Sequence, residues 1–379
     1  MSFTQQHDQF RDSVRDFVQK EIVPNTNEWE AEEKIPRQLY RRMGELGFLG
    51  IECHERYGGV SADFWSTVVL AEELAKCGSG GVAFSIMVHT DMSSPWLARL
   101  GTHEQKTRFL PAITSGKTVC ALAITEPGVG SDMAALETTA RRDGDDWVIN
   151  GSKSFITNGV HGDLYFLAAR TREDGPRHGR LSQFLLERGS QGLNVVKQLK
   201  KTGMWAVDAA ELTLDGVLVP GENLLGKEGR GFYQLAAGLQ RERLIAAVLS
   251  YSASEKALQD TLSYTNKRKA FGHKLSEFQT LRHRIADMAT QIESARHLVY
   301  HAASLFVRGE ECTKEVSMAK LFATEMANRV AYEAVQMHGG LGYMRELPIE
   351  RFARDYRLWT IAAGSSEMMR EIISKRILD

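Results

Sequence analysis

Glu242 is the residue whose type and position in this sequence best fit acid–base chemistry. It lies between two arginines in the stretch GLQRERLIAAVLS, Gly238–Ser250. On a helix with about 100° per residue, Glu242 lies about 20° from Leu235 and about 40° from Ala246, which places it inside an apolar stripe. A carboxylate there is costly unless it is paired, and burial raises its pKa toward neutrality, as a general base requires. Two interpretations stay open: a structural carboxylate paired with an arginine of a facing helix, or a catalytic base.

A glycine-rich stretch, ITEPGVGSD (Ile124–Asp132), is the second candidate for ligand binding. The hydroxyls of Thr125 and Ser131, with the backbone N–H groups of the loop, are suited to bind a phosphate or the polar edge of a ring. A simple glycine turn between two strands is the alternative. The spacing matches neither GxGxxG nor GxxxxGK[ST], and no βαβ unit surrounds it, which argues against a Rossmann site or a P-loop.

Two stretches near helix ends are further candidates. QMHGGLGYM (Gln336–Met344) ends a helix on a glycine pair, which is a common helix stop and also permits close approach of a ligand. His338 by itself is interpreted as structural. RKAFGHKL (Arg268–Leu275) places cations and a phenylalanine at a helix end, where they either compensate the helix dipole or bind a pyrophosphate.

Three regions are expected to position these residues. Residues 1–117 are predicted to be helical, with Phe10, Val14, Phe17, Val18 and Ile22 at helical spacing on the first helix. Residues 118–228 contain short β-prone runs separated by turns, which indicates an antiparallel β domain, a barrel or a sandwich. Within it, DGDDWVING is predicted to form a hairpin with Asp-Gly at the turn.

The C-terminal region, residues 229–379, is predicted to be a helical bundle. Long helices with short connections favour that arrangement. The predicted helices cover residues 230–262, 276–308, 313–338 and 364–376. The expected fold class is therefore α+β, in the order helical, β, helical.

Composition limits the classes of function. Lys and Arg (47) nearly balance Asp and Glu (48), so nothing favours nucleic acid as a partner. No apolar run approaches the roughly 18–20 residues that span a bilayer, and the charged start, MSFTQQHDQFRDSVRDF, does not resemble a signal peptide. Four cysteines without a CxxC pair argue against a zinc site and suggest a reducing compartment. We expect a cytoplasmic protein without membrane insertion and without a bound metal.

Several stretches together resemble the acyl-CoA dehydrogenase family of flavoproteins. They are LAITEPGVGSD, WVINGSKSFITNG, RERL, RKAFG, EFQTLRHRIADM and VQMHGGLGYMRELPIERFARDYRLWTIAAGSSEMMREII, collinear over nearly the whole chain. The resemblance implies an N-terminal helical domain (1–117), a middle β domain (118–228) and a C-terminal four-helix bundle (229–379). It also implies FAD as cofactor and a homo-oligomer, at least a dimer and usually a tetramer formed as a dimer of dimers.

The resemblance further implies a role for each matching residue. The positions that would line or flank the flavin ring are Leu122, Thr125, Ser131, Phe155 and Thr157. The positions that would meet FAD across a subunit boundary are Arg268, Phe271, Gln279 and Gln336, with the backbone of His338, Gly339 and Gly340. Ser365 and Glu367 match the adenine–phosphate side. The positions implied at the substrate are Ser131, Arg243, Ala363 and Gly364.

The chemistry implied is α,β-dehydrogenation of an acyl-CoA thioester, with electrons passed to an electron-transfer flavoprotein. Most family members carry the base just before the glycine of an EGTSE-like motif, but this chain has AAGSSE, so Ala363 stands there. Long-chain and isovaleryl-type members carry the base within an ERL-like motif instead, which matches Glu242. A medium, long or methyl-branched acyl chain is therefore expected, with citronellyl-CoA-like thioesters included. Two alternatives stay open: an acyl-CoA oxidase-type flavoenzyme, and a non-catalytic scaffold that binds acyl thioester or flavin.

Overall fold

The N-terminal region is helical in the computed structural model, which describes residues 3–378. Four residues of the expected stripe, Val14, Phe17, Val18 and Ile22, are buried, and Phe10 packs against the same core half-exposed. The stripe continues past the first helix because a π-helical turn, Val18–Ile22, follows it directly. The helices are α1 (Gln5–Phe17), α2 (Thr26–Glu32), α3 (Arg37–Glu45), α4 (Phe64–Ala75), α5 (Gly80–Met87), α6 (Ser94–Leu100) and α7 (His103–Thr114).

The middle region forms one eight-stranded sheet. Its strands are β1 (Cys120–Ala123), β2 (Thr139–Asp143), β3 (Asp146–Thr157), β4 (Leu164–Arg170), β5 (Leu181–Glu187), β6 (Leu193–Gln198), β7 (Ala209–Val219) and β8 (Leu224–Leu225). The strand order is β6-β7-β3-β2-β4-β5-β8, and β1 pairs with β4. The expected hairpin joins β2 to β3, with Asp143 opposite Asp146 and Gly144 at positive φ in the turn.

The sheet differs from a purely antiparallel one in two strand pairs. Strand β4 pairs in parallel with β1 and with β2. An antiparallel meander requires each strand to pair with its neighbours in sequence. Strand β3 instead pairs with β2 and with β7, and not with β4, which follows it in sequence. Strand β4 therefore enters the sheet beside strands that run in its own direction.

The C-terminal region contains three long helices and two shorter ones. They are α8 (Gly231–Lys267), α9 (Gln279–Val307), α10 (Thr313–His338), α11 (Pro348–Tyr356) and α12 (Ser366–Leu378), with a small hairpin of β9 (Lys269–Ala270) and β10 (His273–Lys274) after α8. Helix α8 extends five residues beyond its expected end at 262. Helix α11 was not expected from the sequence, since its nine residues are too few to give a periodic pattern.

Helix α8 is buried on all sides in its middle. It packs against α4 of the N-terminal region and against α9 and α10. Every residue from Glu242 to Ser254 is consequently buried. The single apolar stripe expected from periodicity thus understates how completely this helix is enclosed. Within residues 3–378, no helix is long and apolar enough to cross a membrane.

Candidate active site

Glu242 is a buried carboxyl group without a partner. Its exposed fraction is 4%, and its Oε1 atom makes no hydrogen bond within residues 3–378. No ion pair in that part of the chain joins Glu242 to an arginine of a facing helix, which the structural interpretation required. Burial raises the pKa of Glu242 to about 8, and the charge of Arg243 opposes the shift. A carboxyl group with this pKa is suited to exchange a proton near neutral pH.

Arg241, the other arginine beside Glu242, is committed elsewhere. Its guanidinium donates to Asp91 Oδ1 through Nε (3.0 Å) and Nη2 (2.6 Å), and to Glu52 Oε1 through Nη2 (2.6 Å). Burial alone would lower the pKa of Arg241, but Asp91 and Glu52 outweigh it and raise that pKa. Arg241 therefore ties α8 to the N-terminal helices and leaves Arg243 as the cation next to Glu242.

Arg243 and Lys320 hold two successive backbone carbonyls of one turn. Arg243 Nε donates to the carbonyl oxygen of Ala363 at 3.3 Å, and Lys320 Nζ donates to that of Gly364 at 2.6 Å. Both turn residues lie at positive φ, Ala363 at 54° and Gly364 at 95°. A non-glycine residue at positive φ is strained and persists where its surroundings fix it, often at functional sites. We name residues 363–364 the αL turn.

Lys320 was missed by the sequence interpretation. A usable signal was present, because Lys320 follows Ala319 and lies on α10 at helical spacing from Val316 and Ala323, all of which are fully buried. A lysine inside an apolar stripe is as unusual as a glutamate there.

The glycine-rich loop is anchored by a buried ion pair. Lys153 Nζ lies 2.7 Å from Glu126 Oε1 and donates to the carbonyl oxygen of Ile124 at 3.0 Å. The backbone N–H of Thr138 also donates to Glu126, at 3.0 Å. Burial lowers the pKa of Lys153 to about 8 although Glu126 opposes the shift, while Lys153 and these hydrogen bonds lower the pKa of Glu126 despite its burial. The sequence interpretation did not single out either residue of this pair.

The expected flavin-lining residues lie on β1, on β3 and in the glycine-rich loop that Lys153 joins to β3. Leu122 lies half-buried on β1, and the carbonyl of Thr125 accepts a hydrogen bond from Ser154 N–H at 2.8 Å.

 The loop backbone is thereby tied to β3 through this bond. On β3 itself, Phe155 has φ 60° and is 66% exposed next to a bulge between Lys153 and Ile156, and Thr157 ends the strand half-buried. Ser131 is exposed at the far end of the loop. The ring of Phe155 is exposed and its backbone is strained. The hydroxyls of Thr125, Ser131 and Thr157 make no hydrogen bond within residues 3–378. These features fit a site that a planar ligand covers.

The residues implied at a subunit boundary lie on the protomer surface. Arg268 and Gln279 are exposed on either side of the hairpin, and Phe271 in its turn is 94% exposed at φ 53°. Gln336, Gly339 and Gly340 are exposed at the end of α10. Within residues 3–378, no hydrogen bond joins any of these residues to the αL turn or to the glycine-rich loop.

His338 differs from its neighbours because its ring points inward. The ring is 5% exposed, stacks on Tyr264 at 4.4 Å, and places Nδ1 2.7 Å from the carbonyl oxygen of Ala334. The ring is therefore structural, and the backbone of this stretch is what a ligand can reach. Ser365 immediately precedes α12, where its Oγ accepts a hydrogen bond from the N–H of Met368 at 3.3 Å, and Glu367 lies in the first turn of that helix.

The donor set fits the FAD that the resemblance implies. A Cβ atom added at Gly128, Gly130, Gly339 or Gly340 would meet nothing within 4 Å, so a ligand can approach the backbone at both loops. Backbone N–H groups, hydroxyls and Arg268 suit phosphates, and the exposed rings of Phe155 and Phe271 suit an apolar ring system. Among the described residues, no group of three or more His, Cys, Asp or Glu could hold a metal ion.

Comparisons with known proteins agree over the whole chain. Models of the N-terminal, middle and C-terminal domains of acyl-CoA dehydrogenase match residues 4–117, 121–217 and 229–378. The mitochondrial long-chain specific acyl-CoA dehydrogenase of Mus musculus is 42% identical over 99% of this chain and 87% of its own length. The crystal structure of an acyl-CoA dehydrogenase from Geobacillus kaustophilus is 44% identical, with a TM-score of 0.96 over 99% of this chain and 98% of that one. The FAD complex of PigA is 26% identical, with a TM-score of 0.95 over 100% of this chain and 98% of that one. The helical–β–helical fold is thus confirmed, and this chain belongs to the acyl-CoA dehydrogenase family.

Proposed function

We propose that this protein catalyses FAD-dependent α,β-dehydrogenation of an acyl-CoA thioester to the trans-2-enoyl-CoA, with Glu242 as the base. The observation that carries the proposal is the buried carboxyl group of Glu242, which has no hydrogen-bond partner within residues 3–378 and precedes the arginine that binds the αL turn. Its neighbour in sequence, Arg243, holds that turn through the carbonyl of Ala363. This contact supports a site in which Glu242 supplies the base and the αL turn supplies backbone N–H groups.

In the proposed reaction, the carboxylate of Glu242 removes a proton from the α-carbon, and the β-carbon loses a hydride. Bound FAD supplies the acceptor for that hydride and its two electrons. Glu242 must be ionised before it can act, and its raised pKa makes it a stronger base than an exposed glutamate. Peptide N–H groups of the αL turn stabilise the negative charge that develops on the thioester oxygen, because fixed dipoles need no reorganisation during the step.

We propose the remaining site residues as the resemblance implies them. Leu122, Thr125, Ser131, Phe155 and Thr157 line the flavin ring. Arg268, Phe271, Gln279, Gln336 and the backbone at 338–340 meet FAD of a second copy of this chain, which makes the active protein a homo-oligomer, a tetramer by resemblance. Ser365 and Glu367 contact the adenine–phosphate side.

The proposed substrates have medium, long or methyl-branched acyl chains. Ala362, Ala363 and Gly364 are small, and Ala363 cannot accept a proton, so the base must come from another element. The similarity to a long-chain specific relative supports the same chain class. The proposed acceptor is an electron-transfer flavoprotein, and the proposed location is the cytoplasm, where four unpaired, buried cysteines stay reduced.

Anaerobic reduction of the purified FAD-loaded protein tests the proposal. Octanoyl-, palmitoyl-, isovaleryl- and citronellyl-CoA are mixed with it, and bleaching of the flavin absorbance is followed. Bleaching by one chain class, with re-oxidation by electron-transfer flavoprotein, is the expected result. Peroxide formation with oxygen as sole acceptor at comparable turnover would instead identify an oxidase. A flavin that stays oxidised with every thioester would favour the non-catalytic scaffold.

A further inference from the structure

Lys320 is a fully buried cation whose recorded partner is a backbone carbonyl. Its exposed fraction is 0%, and Nζ donates to the carbonyl oxygen of Gly364 at 2.6 Å. No ion pair within residues 3–378 includes Lys320, so its burial is not compensated by a carboxylate in contact with it. Burial, together with the nearby charge of Arg243, lowers the pKa of Lys320 to about 8. A lysine whose only role was packing would be replaced by an apolar side chain without this cost.

The carbonyl that Lys320 holds belongs to the αL turn, and Arg243 holds the preceding carbonyl at Ala363. Two cations from α10 and α8 therefore fix two successive peptide groups. Fixing a carbonyl also fixes the N–H of the following residue, because both belong to one planar peptide group. Arg243 therefore orients the N–H of Gly364, and Lys320 orients that of Ser365.

The N–H groups of the αL turn are free to bind a ligand. Within residues 3–378, the N–H groups of Ala363, Gly364 and Ser365 make no hydrogen bond, whereas that of Ala362 donates to the carbonyl oxygen of Leu358 at 3.0 Å. Partly buried N–H groups without a protein acceptor are uncommon and indicate an external one. The thioester oxygen of the substrate is the acceptor that the proposed reaction provides.

We propose that Lys320 is a positioning residue for this reaction: with Arg243, it holds the carbonyls of the αL turn and thereby aims the N–H groups of the same two peptide groups, those of Gly364 and Ser365, at the substrate thioester oxygen. The inference rests on the proposed function. Lys320 itself does not touch the reacting atoms, and it acts through the peptide group between Gly364 and Ser365.

The test compares Lys320→Met with Thr324→Val, a matched control one turn further along α10. Thr324 is also fully buried, but its hydroxyl donates to Lys320 O within the helix at 2.9 Å and does not reach the turn. Two quantities are measured on FAD-loaded protein: flavin bleaching by acyl-CoA, and exchange of the α-hydrogens of 3-thiaoctanoyl-CoA in D₂O. The sulfur of this probe replaces the β-carbon, so the exchange reports α-proton removal without hydride transfer.

Lys320→Met is expected to lower both rates by about 10–100-fold, since misplacement of a positioned group by about 1 Å can cost a factor near 10². Binding of 3-thiaoctanoyl-CoA and FAD content should change far less, and Thr324→Val should stay within about twofold of wild type in both rates. Lys320→Arg, which keeps a cation and donors, should recover part of the loss.

Wild-type rates in Lys320→Met, or a loss that follows only FAD content and melting temperature, would overturn the inference. If Lys320→Met yields no folded protein, Lys320→Gln takes its place: its side chain is one bond shorter and uncharged, so it should not hold the Gly364 carbonyl as Nζ does, and the same loss is expected. Failure of the proposed function looks different: the wild-type protein would then neither bleach nor exchange.

Discussion

Replacing Glu242 by glutamine keeps the shape of the side chain and removes its ability to accept a proton. General-base catalysis contributes about 10²–10⁴-fold, so flavin reduction by acyl-CoA should slow by that factor, which corresponds to about 3–5 kcal/mol in the barrier. Substrate binding should persist, because the change removes no group that the site uses for binding alone. Glu72→Gln is the matched control, since Glu72 is also a buried glutamate but accepts hydrogen bonds from Tyr251 and Tyr300 away from the αL turn.

The pH dependence of the wild-type protein follows from the same group. With a pKa of about 8 for Glu242, about 9% of the carboxyl groups are ionised at pH 7 and about 91% at pH 9. The value of kcat/KM, which reports the free enzyme, should therefore rise about tenfold between these pH values. Stopped-flow bleaching under anaerobic conditions measures both this profile and its loss in Glu242→Gln.

Stability provides an independent check on burial. The pKa of Glu242 is raised on folding from 4.5 to about 8. The contribution of the protonated carboxyl group to the free energy of unfolding is therefore fully present below pH 4.5 and is lost as pH rises through 8. At pH 8 the loss amounts to roughly 4 kcal/mol. Glutamine does not titrate and removes this pH dependence, so Glu242→Gln should gain stability over wild type as pH increases. A variant that bleaches at the wild-type rate would refute the assignment of the base, and a stability difference independent of pH would refute the burial.

Four further outcomes are expected. Arg243→Met removes the charge that opposes the raised pKa of Glu242, so the activity profile should move to higher pH, and an unmoved profile would contradict the coupling. Lys153→Met leaves Glu126 buried and unpaired, so the free energy of unfolding should fall by about 3–5 kcal/mol in thermal melts, with partial recovery in the double variant with Glu126→Gln. Gly364→Ala and Gly309→Ala both place alanine at positive φ, so each should lower the free energy of unfolding by about 1–3 kcal/mol. Only Gly364→Ala should slow flavin bleaching, and equal bleaching rates in the two variants would contradict a role for the αL turn. Phe271→Ser should lower FAD content and weaken self-association in sedimentation, while Val60→Ser, at another exposed apolar residue, should do neither.

Periodicity predicted the long elements well because their burial is regular. The first helix and four helices of the C-terminal region, α8, α9, α10 and α12, were predicted, and the hairpin between β2 and β3 follows from Asp143 and Gly144. Strand pairing was harder, because the parallel pairs of β4 depend on where β3 finds its partners. Such long-range choices leave no local signal in the sequence.

The candidate site was predictable only in part for a similar reason. Glu242 was recognised because a charged residue interrupts an apolar stripe on its own helix. Lys320 and the pair of Lys153 with Glu126 act through residues far away in sequence, at Gly364 and around Ile124. Their importance depends on which carbonyl or carboxylate the fold places opposite them, and residue type alone does not specify that.

The proposed base and the αL turn belong to different elements, α8 and the segment before α12, joined by side chains from α8 and α10. They lie far apart in sequence within the C-terminal region, and neither helix formation nor collapse alone aligns them. A compact state with intact helices but loosened packing would keep its circular dichroism in the far ultraviolet and lose α-proton removal. Catalysis can therefore serve as a sensor of native packing in the helical core, more demanding than any spectroscopic measure of secondary structure.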